Sequence, residues 1–185
     1  EDVLGGRRFD LRARVVLNTR GPWTGGRFLK AMNLVTRPLL QQRVAVGILT
    51  RSSGGRTPGL LFITPWQGRS IIGSAYWPYA GEPEACRVSE EELADFLGDV
   101  NQAFPAARLT RRDVSFVHLG LLPASPDRPS VLQTRYRLID HQRTDGLAGL
   151  ISTVGVKYTT ARDVAEKAVD LVCAKLGRGG VGGLS

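Results

Sequence analysis

The sequence predicts an α+β protein: a mostly antiparallel sheet with packed helices, followed by a strand–helix pair. Three observations predict this class. Short apolar segments separated by glycine- and proline-containing turns follow one another closely from residue 28 to residue 74, as in an antiparallel meander. An amphipathic segment with helical periodicity then interrupts the strands, and a second one follows the last strand. The order of a strand, a meander, a helix, further strands and a helix is typical of α+β proteins.

The first half of the chain contains the strands of the meander. Residues 10–18 alternate between polar and apolar and then become apolar, which predicts a strand that ends sharply at the Gly21-Pro22 turn. Apolar, partly β-branched segments predict the next strands at residues 28–37, 44–49, 60–64 and 69–74. A hairpin-like loop over residues 51–59 and a tight turn over residues 65–68 connect them.

The second half begins with a helix. Ser89 can cap it while Glu92 reaches back, and apolar residues then recur at helical spacing up to Phe104-Pro105. Strands are predicted at residues 113–119, 132–139 and 150–154, with a turn at 144–146, and a helix over residues 159–176. The glycine-rich tail after residue 176 is typical of a flexible linker.

Composition limits the function classes. The 185 residues fit one domain, or one domain with pieces of another, and 42% hydrophobic and 23% charged residues are normal for a globular protein. The net charge is +8, but the arginines are scattered and the aromatic residues do not interleave with them, so we expect no nucleic-acid partner. Cys86 and Cys173 match no metal-ligand spacing, so no metal is predicted. We expect no signal peptide, because no apolar segment follows Glu1.

A glycine turn between the last strand and the last helix is the most informative local feature. The strand from Leu150 leads through Gly155 and Lys157 into the helix. The start of a helix presents free backbone N–H groups and the positive end of the helix dipole, which suits an anion or an electron-rich cofactor edge. An ordinary helix after a strand is the alternative, and a lone glycine turn does not separate the two.

Four segments carry a resemblance to a known family. They read VLNTRGPW at residues 16–23, FITPW at 62–66 with RSIIG at 69–73, LTRRDV at 109–114, and GLISTVGVKYTT at 149–160. They resemble the V-N-A-x-G-P-W, I-P-W…I-G-T, L-x-R-D-D-I/V and G-L-I-S-V-x-G-G-K-L-T-T motifs of FAD-dependent glycerol-3-phosphate dehydrogenases. The likeness runs from about Arg12 to Leu176, and the last two motifs are quite specific to that family.

The resemblance implies a D-amino-acid-oxidase-like flavoprotein that oxidises sn-glycerol 3-phosphate to dihydroxyacetone phosphate and reduces FAD. The family's N-terminal G-x-G-x-x-G unit has no counterpart here, so we expect the later part of a longer protein, which alone is inactive and binds FAD weakly or not at all. The expected organisation is a strand and turn of the FAD-binding layer (1–27), a substrate-binding α+β domain (28–148), an FAD-contacting strand–helix (149–176) and a flexible tail (177–185).

The resemblance assigns the cofactor residues. The family's K-L-T segment lies at the flavin, so Gly155, Lys157, Tyr158 and Thr159 are expected to bind FAD. Their backbone N–H groups would stabilise negative charge on the reduced cofactor. Gly21 would lie beside the cofactor in the same layer, since a glycine allows close backbone approach.

The substrate residues follow the family pattern only in part. Arg135 matches an arginine near the substrate phosphate, and a guanidinium fork suits a phosphate dianion. A surface arginine is the alternative, because Arg137 lies beside it. Asn33 stands at the family's histidine position, where it can hydrogen-bond a hydroxyl group but is a poor proton acceptor. Leu122 stands at the position of a second phosphate-binding arginine. The catalytic base is not assigned.

The two histidines receive no catalytic role from the sequence. His118 lies on a strand ahead of the altered arginine segment, where facing the site is one alternative, and His141 lies near a turn, where we expect it to be exposed to solvent. A structural or surface role is predicted for both.

The expected partner is a small-molecule substrate, in a cytoplasmic protein or one that lies peripherally at the inner face of the membrane. A membrane quinone as electron acceptor and a homodimer are left open. Two rival functions also remain: a related flavin oxidase acting on an amine or another polyol, and a non-catalytic domain that keeps the fold without FAD.

Overall fold

The computed structural model describes residues 2, 4–41, 43–51, 59–155 and 157–178. Most of the predicted loop at 51–59 and of the tail at 177–185 lies outside them. The chain forms two compact units, residues 1–24 with 134–185 and residues 25–133. The domain boundaries that the sequence predicts, after residues 27, 148 and 176, stay a prediction. Within the described residues, no helix combines the length and the apolar character that crossing a bilayer requires.

Eight strands and three α-helices are described. The strands are β1 (Val16–Asn18), β2 (Phe28–Thr36), β3 (Val46–Leu49), β4 (Leu60–Trp66), β5 (Arg69–Tyr79), β6 (Val114–Pro123), β7 (Arg137–Asp140) and β8 (Leu150–Val154). The helices are α1 (Glu90–Ala103), α2 (His141–Thr144) and α3 (Ala161–Lys175).

The unit of residues 25–133 is built on an antiparallel five-stranded sheet. Its strand order is β3-β4-β5-β2-β6. β4 and β5 are joined by a two-residue turn in which Gln67 and Gly68 have φ values of 46° and 73°, as a type I′ hairpin requires. Helix α1 covers one face, and the core lies between them; among its members are Met32, Leu34, Ile63, Ile72, Leu93, Phe96 and Val100.

Helix α1 forms where the local sequence predicts it. The Ser89 N–H donates to Glu92 Oε2 at 2.9 Å, and the Glu92 N–H donates to Ser89 Oγ at 3.1 Å, which confirms the capping box. The predicted apolar face is buried, and Phe96 packs edge-on against Trp77 with 5.8 Å between ring centroids. Those contacts fix the helix on the sheet.

The other unit contains a smaller three-stranded sheet. Its order is β1-β8-β7, with β1 parallel to β8 and β7 antiparallel to it. Ile151 of β8 and Val164 and Ala168 of α3 are buried. The prediction of an α+β protein with a mostly antiparallel sheet is therefore confirmed, with β1 and β8 as the parallel exception.

Several predicted strands have different limits: β3 begins at Val46, β5 continues to Tyr79 and β6 to Pro123, and three others differ for reasons that the pairing shows. Residues 10–15 are not a strand, because β8 supplies pairing partners only from Val16 onward. β4 continues through Pro65, where a turn is predicted. Proline has no N–H to donate, but β3 pairs with β4 only as far as Ile63, so no strand on that side requires a hydrogen bond from Pro65. Residues 132–136 lie outside the named strands, and Leu132 makes only an isolated bridge to Ala124.

The prediction that His141 is exposed to solvent is wrong. Its side chain is 19% exposed, and its Nδ1 makes a hydrogen-bond contact with Asp145. Its Nε2 lies 2.9 Å from Ser152 Oγ on β8. The hydrogen bond from His141 holds the pKa of Asp145 below its usual range. His141 therefore links α2 to the neighbouring strand, a structural role.

Candidate functional site

The carboxyl ends of two adjacent parallel strands form one edge of the smaller sheet. Val16 is paired with Leu150 and Asn18 with Ser152, so β1 and β8 end side by side. Gly21 follows β1 and Gly155 follows β8. In open sheets with parallel strands, ligands bind just outside such carboxyl ends.

Both glycines have backbone conformations that favour glycine. Gly21 has φ 64° and Gly155 has φ 77°, in the left-handed region that other residues rarely adopt. Gly21 opens a short 3-10 turn that ends at Thr24, and Gly155 directly follows the last residue of β8. Neither carries a side chain that would cover the backbone at the strand ends.

The turn between β8 and α3 leaves the helix start without a side-chain cap. Lys157 is extended, and its carbonyl accepts hydrogen bonds from the Thr160 N–H at 3.0 Å and from the Thr160 hydroxyl at 3.2 Å. The Thr160 side chain is thus used for the preceding turn, and it makes no capping bond to α3. The Ala161 N–H at the start of α3 donates to the Tyr158 carbonyl, so the donors available to an external acceptor are those that open the 3-10 turn, at Tyr158 and Thr159, where no side chain caps the turn.

The surroundings of this edge fit the FAD that the resemblance implies. Tyr158 is fully exposed and Trp23 is 51% exposed, so two aromatic rings lie next to the glycine turns. Lys157 and Thr159 are exposed as well. Uncapped N–H donors, a cation and open aromatic surfaces suit a flat anionic dinucleotide.

Arg135 belongs to the same unit, on the segment that leads into β7. Its neighbour Tyr136 donates through its hydroxyl to Asp163 Oδ2 at 3.2 Å and accepts from Lys167 Nζ at 3.0 Å. Lys167 also pairs with Asp163 at 2.8 Å, and its hydrogen bond lowers the pKa of that carboxyl group. These contacts attach the segment that carries the exposed Arg135 to α3.

Asn33 lies in the other unit, on the sheet face that α1 leaves open. It is paired with Gly73 on β5, and a Cβ atom at Gly73 would collide with the Asn33 amide. The Ser74 hydroxyl donates to Asn33 Oδ1 at 2.8 Å. Gly73 and Ser74 together fix the asparagine side chain across the neighbouring strand.

His118 lies directly opposite Asn33 on the edge strand β6. Paired residues of antiparallel strands point to the same side, so the imidazole shares the open face with the asparagine. The Phe116 ring meets the His118 ring edge-on at 5.1 Å between centroids, and Phe116 is 59% exposed. Leu122, four residues further along β6, is paired with Leu29.

The predicted site residues thus fall into two groups. Gly21, Gly155, Lys157, Tyr158 and Thr159 cluster at the strand ends of the smaller sheet, and Arg135 belongs to the same unit. Asn33 lies in the other unit together with Ser74, which the sequence did not assign to a site, and with His118, for which the sequence left a position facing the site open. The alternation along the strand indicates that residues 116, 118 and 120 share one face of the sheet. The sequence does not show the register that aligns His118 with Asn33.

Comparison with known proteins identifies the family. Residues 2–166 match the family described as FAD dependent oxidoreductase. A glycerol-3-phosphate dehydrogenase of Synechocystis sp. is 30% identical, covering 96% of this chain and 36% of that protein. The aerobic glycerol-3-phosphate dehydrogenase of Escherichia coli is 29% identical, covering 92% of this chain and 36% of that protein.

A solved structure agrees with the family match and with the two relatives. The glycerol-3-phosphate dehydrogenase from Bacillus halodurans complexed with FAD matches with a TM-score of 0.67 at 27% identity, over 89% of this chain and 32% of that chain. The present chain spans about a third of the length of these relatives. The family resemblance drawn from the four motifs is confirmed: the chain belongs to the FAD dependent oxidoreductase family.

Proposed function

We propose that the chain is part of an FAD-dependent dehydrogenase that oxidises sn-glycerol 3-phosphate, or a related polyol phosphate, to dihydroxyacetone phosphate. The observation that carries the proposal is the open edge where β1 and β8 end beside the uncapped start of α3. The names of the relatives point to the same reaction, and the chain's match to them covers nearly all of its length.

The proposed cofactor residues act mainly through their backbone. Gly21 and Gly155 let the cofactor approach the strand ends, while the N–H groups around Tyr158 and Thr159 donate to its electron-rich edge. Lys157 adds a positive charge beside that edge. FAD, when bound, accepts the hydride from the substrate carbon. The chain contributes fixed donors, which stabilise developing negative charge without reorganisation.

The proposed substrate residues are Arg135 and Asn33. The guanidinium group of Arg135 presents paired N–H donors that match phosphate oxygens. The Asn33 amide can donate to a substrate hydroxyl group, because Ser74 already occupies its oxygen. Arg137, the first residue of β7, is the neighbouring control for the arginine.

The setting of the enzyme is part of the proposal. We propose a cytoplasmic protein that lies peripherally at the inner face of the membrane, passes electrons to a quinone and forms a homodimer. The net charge of +8 supports attraction to anionic lipid headgroups.

Flavin bleaching tests the reaction. The full-length protein that contains this chain is loaded with FAD and mixed anaerobically with glycerol 3-phosphate, while the flavin absorbance is followed. We expect rapid bleaching by glycerol 3-phosphate and none by amino acids. Arg135→Gln should raise the substrate KM at least tenfold, since one charge-assisted phosphate contact is lost, and Arg137→Gln should not.

The opposite result identifies a different enzyme. Bleaching by an amino acid, but not by glycerol 3-phosphate, would replace the dehydrogenase proposal with an amine oxidase. Failure of the full-length protein to bind FAD in a titration would leave the enzyme proposal without its cofactor and favour a non-catalytic domain.

A further inference from the structure

The open face of the five-stranded sheet carries a polar cluster of which the sequence assigned only Asn33 to a site. We propose that Asn33, Ser74 and His118 bind two neighbouring hydroxyl groups of a small polyol, with His118 as the acceptor of a hydroxyl proton. The inference rests on the proposed function, which it deepens by assigning the hydroxyl-binding part of the substrate site. It gives His118 a role in place of the surface role that the sequence predicts.

The asparagine is held so that its donor group is available. Ser74 Oγ donates to Asn33 Oδ1 at 2.8 Å, so the amide oxygen already has a partner. Gly73 leaves the space that the amide fills. The Asn33 side chain is half-buried, which limits its other rotamers. The two N–H donors of its amide group are the remaining polar atoms, and hydroxyl oxygens are suitable acceptors for them.

The histidine lies next to that donor. Asn33 and His118 are directly paired, and such pairs place their Cβ atoms about 4.5–5.5 Å apart. This spacing suits hydroxyl groups on adjacent carbon atoms, one meeting the amide and the other the imidazole. A neutral imidazole accepts a hydrogen bond through one ring nitrogen, which is the interaction that a hydroxyl proton requires. The edge-on contact with Phe116 orients the ring.

The surroundings indicate the chemistry of the ligand. The nearest positions on the same face, paired with or flanking Asn33 and His118, carry no charged side chain; they are Ala31, Val35, Phe62, Gly73, Phe116 and Gly120. Phe116 and Phe62 are 59% and 48% exposed and offer apolar surface to C–H groups. Hydroxyl partners beside aromatic carbon suit the uncharged part of a polyol. A phosphate group would find no cation among these residues.

Histidine NMR tests the proposal in the full chain. His118 and His141 are the two histidines of the sequence, so His141, which is engaged with Ser152, serves as an internal control. The isotope-labelled chain is titrated at fixed pH with glycerol, 1-propanol or inorganic phosphate. We expect glycerol to shift the His118 ring signals while His141 stays in place. Neither 1-propanol nor phosphate should reproduce the shift.

Variants separate specific binding from a general surface effect. Asn33→Ala and His118→Gln should each raise the glycerol dissociation constant about tenfold, read from the amide signals of Gly73 and Gly120. Gln102→Ala is the control, because Gln102 is exposed on α1, which covers the opposite face of the sheet. Both test variants replace exposed or half-buried side chains, and amide spectra verify that they fold.

Two results would overturn the proposal: an unmoved His118 signal at saturating glycerol, or equal shifts with glycerol and 1-propanol. These outcomes are independent of the flavin reaction. If glycerol shifts His118 but glycerol 3-phosphate does not bleach the flavin, the proposed function fails and the hydroxyl site stands. If bleaching occurs without a shift of His118, only the hydroxyl site fails.

Discussion

Replacing Glu92 with glutamine should remove the ion pair that joins the five-stranded sheet to α1. Lys30 Nζ contacts Glu92 Oε1 and donates to the Arg87 carbonyl at 2.9 Å. The Lys30 side chain is 7% exposed and that of Glu92 is 20% exposed. Glutamine can still accept from the Ser89 N–H through its amide oxygen, so the capping box survives, but its NH2 group then faces Lys30, and the lysine loses both the charge and the acceptor.

The cost follows from the burial of the lysine. Removing one partner of a buried ion pair costs about 3–5 kcal/mol, because the other charge stays buried and unpaired. Since Glu92 is partly exposed, we expect a loss near the lower limit, about 3 kcal/mol. With a urea m-value of about 2 kcal/mol per molar, the unfolding midpoint should fall by about 1.5 M.

Glu90→Gln is the matched control in the same first turn of α1. Glu90 pairs with Arg111 at 3.0 Å, but the two side chains are 77% and 59% exposed. Exposed pairs contribute little, so the free energy of unfolding should change by no more than about 0.5 kcal/mol. Urea unfolding followed by tryptophan fluorescence measures both variants. Equal midpoints for the two variants would refute the assignment of the ion pair.

The pH dependence gives an independent check. Burial raises the pKa of Glu92, but hydrogen bonds from Lys30 and Ser89 lower it more, so it lies below the ordinary value of 4.5. The carboxylate therefore stabilises the fold above the unfolded-state pKa, and this contribution is lost as the pH falls through the lower, folded-state pKa. The stability difference between wild type and Glu92→Gln should shrink in that acid range. A difference that stays constant there would contradict the linkage.

Three further substitutions test the packing of the same unit. Gly73→Ala should destabilise it by about 1–3 kcal/mol and abolish the glycerol-induced shift, because the new methyl group displaces the Asn33 amide; unchanged thermal unfolding would contradict this. Gly98→Ala should stabilise α1 by about 0.5–1 kcal/mol, since the Cβ atom of the new alanine would meet no atom within 4 Å. A lower melting temperature of the variant would contradict this expectation. Phe96→Ala should cost about 3–5 kcal/mol, as a fully buried ring against Trp77 is lost, and a loss below about 1 kcal/mol in urea unfolding would be incompatible with that packing.

Local signals predicted the fold where neighbours in sequence decide the structure. The capping box of Ser89 and Glu92 and the helical spacing of the residues that follow act within a few turns, so α1 was predicted within about one residue at each end. The motif at the end of β8 predicted the turn at Gly155 for the same reason. A positive φ at a glycine between a strand and a helix is a local property.

Features that depend on strand pairing could not be read from the sequence. His118 and Asn33 are 85 residues apart, and only the register of β2 with β6 aligns them. His141 was misjudged because its partner Ser152 belongs to a strand that pairs with β7. The predicted strand at 10–18 was too long, since the length of a strand depends on how many residues of the partner strand pair with it and not on alternation alone.

The pairing of β1 with β8 has a consequence for the order of folding. β1 leaves the ribosome early, but its partner begins at Leu150 and is synthesised much later. Meanwhile, the Ala124 N–H donates to the Arg27 carbonyl at 2.9 Å, and Phe28 pairs with Pro123, so the ends of the intervening unit are held together. Once that unit has folded, the loop between β1 and β8 shrinks from roughly 130 to roughly 35 residues, which lowers its closure cost by about 1 kcal/mol. We therefore expect the five-stranded sheet to form first during synthesis and the parallel pair to close last.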